Sequence, residues 1–261
     1  MAEQHAGDHA DASPAARALP RRAGEGQEVV YAKIGGQPQT GYLAQPAARP
    51  DADPTGGPTG RPGIILIHEW WGLNDNIRSM ARQLAGEGYA ALAIDVYGGK
   101  RGETPAAARA LMQTALADPE RIGENLRQAN AFLREQGALR IGSIGWCFGG
   151  GVSLEAGLLL GADLHAVVMY YGRPITDLAR LRALRAPLLG LFGAEDAGIP
   201  VASARALEAN LRKLGKSADV RVYPGAGHAF ANPSGSHYRA TAAEDAWART
   251  RAFFAEHLRA R

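Results

Sequence analysis

Along most of the chain, short runs of uninterrupted apolar residues alternate with longer stretches whose apolar positions recur every three or four residues. The continuous runs are IILIH (64–68), AALAIDVY (90–97), LRIGSIGW (139–146), HAVVMYYG (165–172) and PLLGLFG (187–193), and DVRVYPG (219–225) reads as a further strand. Runs of this kind are the pattern of strands covered on both faces. Between them, IRSMARQLAGEGY (77–89) puts Ile77, Met80, Ala81 and Leu84 on one helical face and ends at Gly86 and Gly88. Residues 104–137 read as a helix-rich stretch interrupted near Asp118-Pro119, and further helices are predicted over 150–161, 200–214 and 240–258. Ahead of these, EVVYAKI (28–34) and GYLAQP (41–46) flank the turn Gly35-Gly36-Gln37-Pro38 and read as a hairpin. Residues 49–63 are a Pro/Gly/Asp-rich loop. The alternation predicts an α/β fold: a mostly parallel sheet with helices on both faces and antiparallel strands at its N-terminal edge.

Composition narrows the class. Residues 1–27, rich in Ala, Gly, Pro and charge, are expected to form a flexible tail, leaving a single domain over 28–261. The 261 residues are 46% hydrophobic, enough for a sizeable core. A net charge of +3, with no basic run interleaved with aromatics, argues against nucleic acid as a partner. No apolar run approaches the roughly 18–20 residues of a membrane span. The Arg pair near the N-terminus is not followed by the apolar segment of a secretory signal. One cysteine cannot make an internal disulfide. A cytoplasmic location is the expectation.

That cysteine sits in IGSIGWCFGGGVSLEAGL (141–158). Free cysteines are often small buried hydrophobes. Here, however, Gly145, Gly149, Gly150 and Gly151 frame Cys147 between a predicted strand and a predicted helix. Strand, Gly-x-Cys-x-Gly-Gly, helix is the nucleophile-elbow pattern with Cys in place of Ser. A helix N-terminus favours negative charge, so the corner also lowers the pKa of a thiol.

A nucleophile of this kind needs a base, and the base an orienting acid, in the chain order nucleophile, acid, base. FGAEDAGIP (192–200) follows a buried run and offers Asp196, with Glu195 as its competitor. YPGAGHAF (223–230) follows another predicted strand and offers His228 in a Gly-rich loop. Both fall at the carboxyl ends of strands, where α/β sheets place their sites. His5, His9, His165, His237 and His257 lack that setting. The backbone N–H after the nucleophile, at Phe148, is one expected oxyanion donor, and Trp70 in HEWWGLN (68–74) is the other. Glu69 stands at the mouth of a buried strand. It is either a solvated or capping acid, or a carboxylate that contacts the thiol and controls its ionisation.

HEWWGLN, DVYGGKRG, GWCFGG, MYYG, GAEDAGIP and GAGHAFANPSG occur here in the order and spacing of the dienelactone hydrolases (carboxymethylenebutenolidases), which have the α/β-hydrolase fold. The chain resembles that family over roughly residues 28–258. The resemblance implies a cysteine-dependent hydrolase of esters or lactones, with a Cys147–His228–Asp196 triad, a thioester acyl-enzyme and oxyanion donors at Trp70 and Phe148. It also implies that Glu69 pairs with Cys147 at rest and swings away when substrate arrives. It implies a small-molecule ester or lactone as partner, a monomer or homodimer, and no cofactor. Family members acting on dienelactone hold its carboxylate with two arginines, whose places are taken here by Gly99 and Asn232. Lys100 and Arg101 follow directly. Arg101, Trp71 and Tyr97 are therefore the substrate-binding candidates. Trp70, Trp71, Trp146 and Phe148 fit an aromatic acyl pocket, and fit core packing equally well.

The histidines lack the spacing of a zinc site, so no metal is expected. The glycine-rich stretch 145–151 lacks the Lys-Ser/Thr of a phosphate-binding loop. A class I glutamine amidotransferase would carry a late His-x-Glu pair, which is absent. The remaining alternative is a non-catalytic thiol sensor or binding protein on a hydrolase scaffold.

Overall fold

The computed structural model describes residues 24–46 and 60–259. Eight strands form one sheet: β1 (Glu25–Ile34), β2 (Gln37–Gln45), β3 (Gly63–Ile67), β4 (Ala90–Ile94), β5 (Ile141–Trp146), β6 (Ala166–Tyr170), β7 (Leu188–Gly193) and β8 (Ala218–Tyr223). Their order across the sheet is β1-β2-β4-β3-β5-β6-β7-β8. β1 pairs with β2, and β2 with β4, in antiparallel register; every pairing from β4 to β8 is parallel. This is the expected α/β-hydrolase arrangement. β3 to β7 are buried along their whole length, which is why they read as uninterrupted apolar runs. Burying each Ile or Leu of such a strand stabilises the fold by about 1.5–3 kcal/mol.

The helices are α1 (Asp75–Gly86), α2 (Pro105–Leu116), α3 (Pro119–Glu135), α4 (Phe148–Leu160), the short α5 (Leu178–Leu181), α6 (Val201–Lys213) and α7 (Ala240–Leu258). Side-chain caps set several starts. The Asn74 side chain accepts from the Ile77 N–H, Thr104 caps α2 and Asp118 caps α3, the last two ahead of a proline in the first turn. Among the described residues no helix is long and apolar enough to cross a membrane.

Some expected boundaries move. Residues 1–23 of the expected tail lie outside the described residues, but Glu25–Gln27 belong to β1, paired with Leu43–Gln45. Most of the loop expected over 49–63 also lies outside them, and Gly63 already belongs to β3. α4 begins at Phe148 rather than 150, because the chain turns into the helix directly at Cys147.

Candidate active site

The elbow follows from close packing of backbone. A Cβ on Gly145 would stand 2.0 Å from the Gly149 carbonyl oxygen, and one on Gly149 would stand 2.3 Å from the Ile67 oxygen. No side chain fits at either place. Cys147, pinched between β5 and α4, takes φ +54° and ψ −118°, a region that residues with a Cβ avoid. Its N–H donates to the Tyr170 carbonyl, and its own carbonyl accepts from the Gly150 N–H. Phe148 is the first residue of α4, so its N–H is among the orphan donors of the helix N-terminus. Among the described residues two other non-glycine residues have positive φ: Tyr171, just after β6, and Ala229, next to His228. All three lie at the carboxyl edge of the sheet. Such conformations cost on the order of 1–3 kcal/mol each and persist where surrounding packing imposes them.

Asp196 and His228, in the loops after β7 and β8, meet there. The His228 Nδ1 is 2.7 Å from the Asp196 Oδ2. The Asp196 Oδ1 accepts from the N–H groups of Gly198 and Ile199, both at 2.9 Å, which fixes the carboxylate. Both residues are buried, whereas Glu195 is exposed. Burial pushes Asp196 up, but its hydrogen bond with His228, the charge of that ring and the two N–H donors pull it below its ordinary value. Burial pulls the His228 imidazole down. The negative charge of Cys147 and the hydrogen bonds to Asp196 and Cys147 outweigh it and raise the ring well above its ordinary value. The elbow thus places Cys147 near enough to His228 for its charge to act on the ring.

Glu69 follows β3 and is buried. One of its oxygens accepts from the Asn232 amide at 2.7 Å, the other from the Tyr171 hydroxyl at 3.4 Å. The Asn232 Oδ1 accepts in turn from the Asn76 amide and the Ser234 N–H, and the Ser234 hydroxyl donates to the Asn76 Oδ1. The Tyr171 ring packs edge-on against His228, with centroids 5.2 Å apart. A cleft of about 240 Å³ opens beside this cluster, between α1 and α7, with Glu69, Trp146, Tyr171 and Asn232 on its wall.

The other sequence candidates lie on the opposite flank. Trp70 and Trp71 are buried edge-to-face, 5.0 Å apart, and belong with Tyr97 and Phe148 to one apolar cluster. Tyr97 packs edge-on against His68 and at a tilt against Phe148. Its buried hydroxyl has no hydrogen-bond partner among the described residues. Burial, followed by the charges of Cys147 and Asp95, pushes that hydroxyl far above its ordinary value. Lys100 and Arg101 are exposed on a loop that abuts Gly72, and the Gly99 N–H donates to Asp95. Of the four aromatic residues expected to form an acyl pocket, only Trp146 lines the cleft. Among the described residues no group of three or more His, Cys, Asp or Glu is arranged to hold a metal ion.

A sequence profile of the dienelactone hydrolase family matches residues 51–258. The chain belongs to the dienelactone hydrolase family. A protein of Saccharolobus solfataricus named as an inferred carboxymethylenebutenolidase is 31% identical over 227 residues, covering 73% of this chain and 87% of that one. Among solved structures, an inferred dienelactone hydrolase from Klebsiella pneumoniae superposes with a TM-score of 0.76 at 26% identity, covering 89% of this chain and 99% of its own. A dienelactone hydrolase-like promiscuous phosphotriesterase from metagenomic libraries superposes at 0.79 with 26% identity, over 91% of this chain and all of its own. This family member is accordingly a hydrolase. Tyr171, Asn76 and Ser234 were not among its sequence candidates. Tyr171 carried one signal, its place before a glycine in MYYG at the end of a buried strand.

Proposed function

We propose that this dienelactone hydrolase family member cleaves carboxylic esters or lactones through a thioester on Cys147. The Cys147 thiolate attacks the carbonyl carbon, forming a C–S bond, and the N–H groups of Phe148 and Trp70 hold the resulting oxyanion. The tetrahedral species collapses with cleavage of the C–O bond, and the His228 imidazolium gives its Nε2 proton to the departing alkoxide. The neutral ring then takes a proton from water, which attacks the thioester. The C–S bond breaks, the carboxylic acid leaves and the thiolate–imidazolium pair is restored. Asp196 holds the ring by Nδ1 and stabilises its charge. Glu69 is assigned to control of Cys147 ionisation, pairing with the thiol at rest and swinging away when substrate arrives.

The single observation that carries this reading is the buried Asp196–His228 contact of 2.7 Å in the loops after β7 and β8. Steady-state hydrolysis of a small neutral aryl ester, with Cys147→Ala as control, tests it. Turnover in the variant is expected to fall to background; turnover near wild type would overturn the mechanism.

A further inference from the structure

The cleft between α1 and α7 bears on which substrates this site accepts, an inference that rests on the proposed ester chemistry. Neither Cys147 nor His228 lines it; its wall meets the proposed reacting groups through Tyr171, whose ring packs edge-on against His228. Most of its surface is apolar: Trp146, Tyr171 and Trp247 present ring faces or edges, and Ile77 and Met80 present aliphatic carbon. Its ionisable acids are Glu69 and Glu244, and none of the residues lining it is a lysine, arginine or histidine. Glu69 is buried and accepts from the Asn232 amide on one oxygen and the Tyr171 hydroxyl on the other. Its nearest donor, Asn232, is neutral and already engaged through its own oxygen by Asn76 and Ser234.

A second carboxylate entering this cleft would lose water and meet like charge with no lining cation to offset it. An uncharged aromatic or alkyl group would instead gain contact with aromatic and aliphatic side chains. We infer that the cleft binds an uncharged, apolar arm of the ester and discriminates against substrates that carry a carboxylate there.

The test uses the wild-type protein. Tryptophan fluorescence, reported from the wall by Trp146 and Trp247, is titrated with phenylacetamide and with phenylacetate, which share a shape and differ in charge. The amide is expected to bind at least about tenfold more tightly, or about 1.4 kcal/mol. Equal or tighter binding of the anion, or no binding of the amide, overturns the inference. In parallel, phenyl butanoate is compared with phenyl hemisuccinate, each rate normalised to hydroxide-catalysed hydrolysis. The neutral ester is expected to show a kcat/KM at least about tenfold higher; equal values or a preference for the anion overturn the inference. Charge-selective binding without turnover of either ester would remove the proposed chemistry and leave the cleft assignment standing.

Discussion

The segment His68–Trp71 divides the carboxyl edge of the sheet into two flanks of opposite character. On one side Trp70, Trp71, Tyr97 and Phe148 pack into a closed apolar cluster with His68 against it. On the other, Glu69, Asn232, Asn76 and Ser234 form a chain of hydrogen bonds beside an open cleft. The aromatic residues that look most like a binding pocket in the sequence are mostly filled space in the fold. A cleft lies where polar groups hold one another at fixed distances. Rings close gaps because they bury large areas without needing partners, whereas a buried carboxylate and its amides require a set geometry and resist collapse around it.

This contrast can be broken by substitution. The largest effect is expected at the junction of the flanks. Asp196→Asn, which keeps the shape but removes the charge that holds His228, is expected to lower kcat on the order of 10³–10⁴-fold, read by steady-state kinetics. A drop below about tenfold would detach Asp196 from the reaction. Next, Trp71→Ala on the closed flank is expected to cost about 3–5 kcal/mol in urea unfolding, since it empties a fully packed site. Trp247→Ala on the open flank is half-buried and is expected to act chiefly on KM. Similar stability losses in the two variants would erase the distinction between filled and open flanks.

Asn232→Ala takes the 2.7 Å donor from Glu69 and is expected to destabilise by about 1–3 kcal/mol. The same denaturation curves read it. No measurable loss would mean that the polar cluster does not hold the open flank.

The smallest effect is one of pH. The His228 imidazole is raised, so the folded protein holds a proton there that the unfolded chain releases near neutrality. The associated stability is fully present below the ordinary value of 6.5 and is lost as pH rises through the raised folded value. Cys147 charge is the foremost of the raising causes. In Cys147→Ala the ring is therefore expected to titrate at lower pH, as followed by the NMR shifts of its carbon-bound protons. An unchanged midpoint would separate the ring from the thiol.

Much of the fold was legible because β3 to β7 are buried on both faces and so carry no polar alternation to confuse the reading. The start of β1 was not, since Glu25, Gly26 and Gln27 are exposed at the sheet edge and carry no apolar signal. Nor was α5, four residues long, because one turn has no periodicity to detect. The Asp196–His228 contact was legible because both residues were expected in loops just beyond strands, which the structure shows to be β7 and β8. The Asn76–Asn232 contact joins positions 156 residues apart, with no local pattern at either end. The cleft likewise arises from the spacing of two helices at opposite ends of the domain.

The most direct test of the account is the covalent state of Cys147 during turnover. The reaction with an aryl ester is quenched in acid within the first turnovers and the peptide containing Cys147 is weighed. The account predicts a mass increase equal to the acyl group on that peptide, absent when the residue is alanine. Sustained turnover with Cys147 unmodified throughout, and an alanine variant of equal activity, would contradict it.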